Sequence, residues 1–133
     1  EKWTLLVLRE AFYGVRRFAD IQANLGIARN LLATRLSALV EHGILERFPY
    51  QEPGSRVRDG YRLTDKGRDL FPILVALMQW GDAHLPDPAG PGVHIQHRDC
   101  GHAVRVELRC AAGHGRLDAR AVRPVPGPGA GVA

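Results

Sequence analysis

Residues Ile27 to Leu45 read IARNLLATRLSALVEHGIL, and this stretch governs the architecture expected for the chain. Its apolar residues recur at the three- and four-residue spacing of one helix face. We therefore expect a helix over about Ala28–His42, which Gly43 ends by allowing a left-handed C-terminal cap. The opposite face carries small polar and arginine side chains, namely Arg29, Asn30, Thr34, Arg35 and Ser37.

Two shorter helices are predicted before this one. Trp3–Tyr13 has apolar residues at helical spacing, and Gly14 follows it. A second short helix begins at Arg16-Arg17-Phe18 and ends at the turn of Gly26. Three short helices in this order, with a tight turn before the third, are typical of a helix-turn-helix motif.

The residues after the third helix predict a β-hairpin and a longer helix. Ile44–Tyr50 and Val57–Leu63 are strand-like, and Asp59-Gly60 is a turn or bulge signal inside the second strand. Thr64 is suited to cap a helix over residues 65–81, which has a long apolar stripe. The expected fold is mainly α with a small β wing, a winged helix-turn-helix.

The composition favours a polyanionic partner and a reducing compartment. The chain of 133 residues has a net charge of +4, and of its 18 basic residues only Lys2 and Lys66 are lysine. Arginine offers a planar fork for phosphate or guanine, although a GC-rich genome would produce the same excess. Two cysteines, no secretory signal and no run of 18 apolar residues predict a cytoplasmic protein without a membrane partner.

The polar face of the third helix is a candidate DNA-reading surface. In a helix-turn-helix, the second helix of the motif lies in the major groove with its N-terminal residues against base edges. Asparagine suits adenine there and arginine suits guanine. The arginines before the second helix are placed for phosphates, and those of the wing for a minor groove. Ordinary solvated charges are the alternative. The predicted DNA-binding residues are Arg16, Arg17, Arg29, Asn30, Thr34, Arg35, Arg56 and Arg58.

Several spaced segments resemble the HxlR-type winged-helix regulators, a bacterial group of DNA-binding transcription factors. Lys2–Glu10, Arg17–Ile21, Leu32–Gly43 and Arg58–Gly67 carry the resemblance, which covers residues 1 to about 85. It implies a sequence-specific regulator that binds double-stranded DNA. It also implies a homodimer built partly from the last helix, and two-fold symmetry then predicts a pseudo-palindromic operator. Alternatively, the whole stripe of that helix belongs to the intramolecular core.

Three features depart from the family pattern. Ala28 stands where the family usually has a serine that caps the third helix, which should cost roughly 1 kcal/mol of helix stability. The wing has Gly60 where the family usually has glutamate. The chain opens at Glu1 inside a helical pattern, so we expect native residues to precede it.

The C-terminal part differs in composition from residues 1–85. Residues 86–92 (PDPAGPG) are a predicted linker, and residues 124–133 are a Pro/Gly-rich tail expected to be disordered. Between them, residues 93–123 are expected to form a small zinc-ribbon-like β appendage. Its strand-like runs are Val93–His97 and Val104–Cys110.

Four side chains of this appendage are candidate zinc ligands. They are His97, Cys100, Cys110 and His114, with His102 as an alternative to His97. Their spacing is acceptable for zinc, and a piece this small with little apolar content would need such a staple. Two alternatives stay open, a ribbon that has lost its metal and a reversible thiol pair.

The function expected from these observations is a DNA-binding transcriptional regulator. The alternative is a metal- or thiol-responsive sensor whose output is DNA binding, with a small-molecule or redox effector. An enzyme is not expected, because the chain has no HExxH, GxSxG or phosphate-loop motif. Zinc held by four protein ligands would be structural, and no other cofactor is expected.

Overall fold

The computed structural model describes residues 2–131. The chain divides between Leu85 and Pro86 into two compact units. No described helix is long and apolar enough to cross a membrane. The elements of the first unit are α1 (Lys2–Phe12), α2 (Phe18–Leu25), α3 (Arg29–Glu41), β1 (Leu45–Tyr50), β2 (Arg58–Leu63), α4 (Asp65–Arg68) and α5 (Phe71–His84).

The helix predicted over about Ala28–His42 is confirmed as α3, which contributes three of the buried residues of the first unit's core. Leu32 and Leu36 are fully buried in a core that α1, α2 and β1 complete. Gly43, at φ +74°, ends the helix. Its N–H donates to the Val40 carbonyl, and the Ile44 N–H donates to the Leu39 carbonyl. This pair of bonds satisfies carbonyls that the end of the helix leaves free.

The wing is a two-stranded antiparallel hairpin, and its register corrects one prediction. Pro49 pairs with Asp59 and Phe48 with Gly60 without interruption, so the turn or bulge expected at Asp59-Gly60 is wrong. A Cβ at position 60 would lie 2.5 Å from Cζ of Phe48. Glycine is therefore required by the ring packed against it, not by a turn.

A backbone contact joins the wing to the start of α2. Arg17 forms an antiparallel bridge with Gly60, and the Tyr61 N–H donates to the Arg16 carbonyl at 2.8 Å. The bridge lies along β2, which leaves β1 at the edge of the sheet. An edge strand tolerates Pro49, since proline cannot donate a ladder hydrogen bond.

The single helix expected over residues 65–81 is wrong. The structure has a four-residue α4 capped by Thr64, whose Oγ1 accepts from the Gly67 N–H at 3.0 Å, and then a separate α5. Pro72 explains the break, because proline has no N–H for the carbonyl of Arg68 and its ring would clash there. In the first turn of α5, by contrast, proline is well tolerated.

The second unit has little regular structure among residues 86–131. The strands expected over Val93–His97 and Val104–Cys110 are wrong, since one bridge, Gln96 to Ala103, is all that forms. Neither segment finds a further strand to pair with among the described residues. One 3-10 turn covers Ala119–Ala121. Residues 124–131 are exposed and carry neither helix nor strand, and the last two of the predicted tail lie outside the described residues.

Candidate nucleic-acid interface

The N-terminal half of α3 presents a polar, exposed face. Arg29, Asn30 and Thr34 are all exposed, and the buried leucines lie on the other side of the helix. Ala28 precedes the helix with extended backbone and supplies no side-chain cap, as the sequence predicted. The first-turn N–H groups of α3 therefore receive no side-chain acceptor from position 28.

Two contacts order this face. The guanidinium of Arg29 lies 5.7 Å from the ring centroid of Phe18, the first residue of α2. Thr34 Oγ1 donates to the Asn30 carbonyl at 2.9 Å. Arg35 is half-buried at the flank, whereas Arg29 and Asn30 are exposed. All three predicted base-reading residues, Arg29, Asn30 and Thr34, are therefore open to solvent.

The arginines before α2 lie against the wing. Arg16 packs its guanidinium 5.9 Å from the Phe48 ring, and Arg17 packs 5.0 Å from the Tyr50 ring. Arg17 also forms an ion pair with Glu52 in the loop that follows β1. Both side chains of this pair are about half exposed.

A polar cleft of about 240 Å³ brings three of the predicted arginines together. Arg17, Arg56 and Arg58 line it, and all three are exposed. Asp20 and Glu52 add two carboxylates to the same walls. The cleft concentrates guanidinium groups between the start of α2 and the wing, where a phosphate-bearing strand could lie.

The sequence prediction missed Arg47 on β1. Its Nη2 donates to Ser37 Oγ at 3.4 Å, and its guanidinium lies 5.8 Å from the Tyr61 ring. Ser37 belongs to the exposed face of α3, so Arg47 joins that face to the wing, where its Nε also lies 4.0 Å from Asp59 Oδ2. Nothing local in the sequence marks Arg47, because strand alternation would place it on the same face as Leu45, which is buried.

The apolar residues of α5, which the sequence presents as one stripe, fall into a buried set and an exposed set. Val75 and Leu74 are buried, and Phe71 packs on Phe12 of α1 with ring centroids 5.0 Å apart. A second set on α5 is exposed by half or more: Ile73 at 56%, Leu77 at 50% and Trp80 at 58%. The stripe is therefore not wholly intramolecular core.

The four candidate zinc ligands form two separate pairs. His97 lies beside Cys100, and Cys110 lies beside His114. Among residues 2–131, no group of three or more histidine, cysteine or acidic side chains is arranged to hold a metal ion. His102, the alternative to His97, instead accepts the His97 N–H through its backbone carbonyl.

Comparison with known proteins identifies the family. A family model described as HxlR-like helix-turn-helix matches residues 1–88. An HTH-type transcriptional regulator of Mycobacterium tuberculosis (strain ATCC 25618 / H37Rv) is 50% identical over 129 residues, which are 97% of this chain and 80% of that protein. These names are those of transcriptional regulators and not of enzymes.

Solved structures agree with this assignment and differ in how much of the chain they match. PA1607, described as a transcription factor, is 43% identical to this chain and has a TM-score of 0.78. The match covers 92% of this chain and 84% of the PA1607 chain. The redox regulator HypR in its reduced form is 27% identical to this chain and has a TM-score of 0.57. That match covers 64% of this chain and 83% of the HypR chain. The second match is long enough for one of the two units, whereas the first extends into both. This chain belongs to the HxlR-like helix-turn-helix family of transcriptional regulators.

Proposed function

We propose that the chain acts as a homodimer that binds a pseudo-palindromic site in duplex DNA, in the bacterial cytoplasm, through α3 and the wing. The observation that carries this proposal is the exposed polar face of α3, with Arg29, Asn30 and Thr34 at its N-terminal half. A recognition helix in a helix-turn-helix reads bases with that half. Membership of the family supports DNA as the partner. The exposed face of α3 indicates which residues would contact it.

Arg29 and Asn30 are the proposed base-reading residues. Each good bidentate contact, arginine to guanine or asparagine to adenine, discriminates against a wrong base by about 1–3 kcal/mol. Stacking against Phe18 limits the freedom of Arg29 before DNA arrives. Less side-chain entropy is then lost on binding.

Backbone contacts are proposed for the arginines beside α2 and in the wing. Arg17, Arg56 and Arg58 share one cleft, and Arg16 lies next to it along the chain. Arg35 at the flank of α3 and Arg47 on β1 extend this set. Contacts of this kind fix the register of a protein on DNA without reading sequence, and they make affinity fall with salt.

The exposed apolar residues of α5 are the proposed dimer contact. Ile73, Leu77 and Trp80 are spaced by four and three residues, so they lie on one helix face. A second copy of α5 would cover this face with the same residues by two-fold symmetry. A dimer then presents two α3 helices to two half-sites, and the operator is expected to be pseudo-palindromic.

Selection of bound duplexes from a random pool, followed by titration of the recovered site, tests this proposal. Arg29→Ala/Asn30→Ala is expected to lose at least tenfold in affinity for the selected site, the equivalent of about 1.4 kcal/mol. Its affinity for unrelated duplex should fall much less. Identical titrations for the wild type and the double variant would exclude α3 as the reading helix.

Arg68→Ala is the matched control for the charge change. Arg68 lies on α4, outside α2, α3 and the wing, and pairs with Asp65 at 2.8 Å. Its loss removes one positive charge from a position outside the proposed contact surface, so both affinities should stay within a factor of about two of the wild type. A loss equal to that of the double variant would attribute the effect to net charge.

A thiol- or metal-responsive regulator is the second candidate function. The observation that favours it is the placement of each cysteine beside a histidine. Titration of the selected duplex with reduced, oxidised and chelator-treated protein distinguishes the candidates. A regulator of constant affinity binds equally in all three states.

A further inference from the structure

The second unit contains two tight turns, each of which holds a histidine against a cysteine. In the first turn, Nδ1 of His97 lies 3.1 Å from Sγ of Cys100. In the second turn, Sγ of Cys110 lies 3.3 Å from Nδ1 of His114. Each turn therefore brings one imidazole nitrogen and one sulfur, both of them metal-ligating atoms, close together.

The backbone builds the first turn independently of this side-chain contact. The Gly101 N–H donates to the His97 carbonyl at 2.8 Å, and Gly101 has a φ of +73° that other residues rarely adopt. The His97 N–H donates in turn to the His102 carbonyl at 2.9 Å. His97 and Cys100 are thereby brought together by main-chain hydrogen bonds.

The second turn repeats this construction. The Gly113 N–H donates to the Cys110 carbonyl and the Cys110 N–H donates to the His114 carbonyl, both at 2.9 Å. Gly113 has a φ of +93°. Arg109 supports the turn from outside, because its Nη1 donates to the Gly113 carbonyl at 2.6 Å and its Nη2 pairs with Glu107.

The spacing within each pair suits two ligands of one zinc ion. Zinc binds sulfur at about 2.3 Å and imidazole nitrogen at about 2.0–2.1 Å, so tetrahedral angles place the two ligand atoms about 3.6 Å apart. Each pair needs to open by only a few tenths of an ångström.

The second unit also lacks the core that would otherwise hold it. None of its described residues, 86–131, is fully buried, and Leu108 and Val125 are largely exposed. Units this small need a staple when apolar burial is insufficient. Cys100 and Cys110 are free thiols, so among the described residues no disulfide supplies one.

We propose that His97, Cys100, Cys110 and His114 together bind one zinc ion per chain. The two turns are half-sites, and the metal completes the site by drawing them together, as metals commonly do when binding is coupled to folding. Residues 101–109 join the half-sites, and an extended segment of nine residues spans up to roughly 30 Å, so the chain allows them to meet.

The charges balance in this site. Binding releases the two thiol protons to solvent, and two thiolates and two neutral imidazoles then surround one divalent cation, leaving no net charge. Four protein ligands close the coordination sphere, so the site is structural and not catalytic. The proposal concerns residues 93–123 and does not depend on how the first unit binds DNA.

Zinc content and cobalt substitution of the 133-residue chain test the site. Tag-free protein, purified in reducing buffer without chelator, should contain about one zinc per chain. Cobalt(II) should give the visible bands of a tetrahedral ion and a thiolate-to-metal charge-transfer band. This spectrum is recorded on the wild type, so it stands even if a ligand variant fails to fold.

Paired variants assign the ligands. Cys100→Ser and Cys110→Ser should each abolish the charge-transfer intensity of their own sulfur and reduce zinc below about a tenth of an equivalent. His97→Ala and His114→Ala should weaken zinc at least tenfold. His102→Ala, which removes an exposed imidazole five residues after His97 along the chain, is the control and should retain the metal.

Four results would overturn the proposal. Wild-type protein with less than about a tenth of an equivalent of zinc and no cobalt spectrum has no such site. Loss of metal in His102→Ala but not in His97→Ala would refute the ligand set. About half an equivalent per chain would place the metal between two chains. Formation of a Cys100–Cys110 disulfide by oxidant at the same rate with and without saturating zinc would make the pair a redox couple instead, because bound zinc protects its thiolates from oxidation.

Discussion

Arg17 forms an ion pair with Glu52, and this pair joins the start of α2 to the loop between the two wing strands. The guanidinium also lies 5.0 Å from the Tyr50 ring. Under the proposed function, Arg17 contacts a DNA phosphate. Because the phosphate and the Glu52 carboxylate would bind the same guanidinium, Glu52 competes with DNA for it.

Glu52→Gln is expected to raise the affinity for all duplexes about two- to fivefold. The increase corresponds to an interaction free energy of about 0.5–1 kcal/mol for an exposed ion pair, which DNA no longer has to break. Arg17→Ala should do the opposite, lowering affinity for all sequences and making the slope of log K against log salt shallower by about 0.9 per half-site. Fluorescence anisotropy titrations at several salt concentrations measure both quantities.

Glu46→Gln is the control for this prediction. Glu46 pairs with Arg62 at 2.8 Å across the two wing strands, with a similar exposure to that of Glu52. The Glu46→Gln substitution removes one negative charge, as Glu52→Gln does, but leaves the ion pair between Arg17 and Glu52 in place. Equal increases for both glutamine variants would show that net charge alone is responsible, and that the pair does not restrain DNA binding.

Local signals account for the parts of the fold that the sequence predicted well. The end of α3 at Gly43 and the cap at Thr64 depend on one or two neighbouring residues, and both are found in the structure. The order of helices and strands in the winged helix-turn-helix follows from such boundaries, and the structure confirms this order. The break before α5 is signalled by Pro72, but the apolar stripe that runs past it predicts one continuous helix.

Contacts between distant residues account for what the sequence did not predict. The pairing of Arg17 with Glu52 and of Arg47 with Ser37 requires the wing to fold back against α2 and α3. Gly60 resembles a turn residue in the sequence, because the reason for a glycine there is Phe48, which lies on the other strand. Such contacts depend on strand register, which the hydrophobic pattern of two short strands specifies weakly.

Gly60→Ala is expected to destabilise the first unit by roughly 1–3 kcal/mol, as overpacking does. The new Cβ would meet the Phe48 ring at 2.5 Å, and this ring is also the packing surface of Arg16 and Arg62. Denaturant unfolding followed by circular dichroism measures the change.

A double-variant cycle identifies the cause of that loss. In a Phe48→Leu background, Gly60→Ala should cost less, because the ring that it meets has gone. Gly81→Ala is the control, since a Cβ added to Gly81 in α5 would have no atom within 4 Å, and alanine there should stabilise the helix by about 0.5–1 kcal/mol. The same cost in both backgrounds would exclude the Phe48 contact as the reason.

Leu77→Glu is expected to convert the proposed dimer into a folded monomer. Leu77 is half exposed on the proposed dimer face of α5, so a carboxylate would be buried there only in the dimer. Leu74→Ala, on the buried side of the same helix, should instead lower the stability by about 2–5 kcal/mol and leave the dimer intact. Light scattering gives the mass, and circular dichroism gives the helix content.

Ala23→Glu introduces the same charge on an exposed position of α2 and should remain dimeric. A dimeric, folded Leu77→Glu variant would place the interface elsewhere on the chain. Monomer formation by Ala23→Glu as well would indicate general charge repulsion and would remove the argument for α5.

Ala28→Ser is expected to stabilise the first unit by roughly 0.5–2 kcal/mol. Position 28 already has the extended backbone of an N-cap, with φ −61° and ψ 140°, and it is exposed, so a serine hydroxyl can accept a first-turn N–H of α3 without rearrangement. Ala23→Ser, at an exposed position inside α2, provides the opposite control, because serine is a poorer helix former than alanine there and should destabilise slightly. Denaturant midpoints that move in the same direction for both variants would show that the effect is not capping. Because Ala28→Ser leaves the proposed base-reading residues Arg29 and Asn30 unchanged, the stabilised variant should also retain the sequence preference of the wild type in the anisotropy titration.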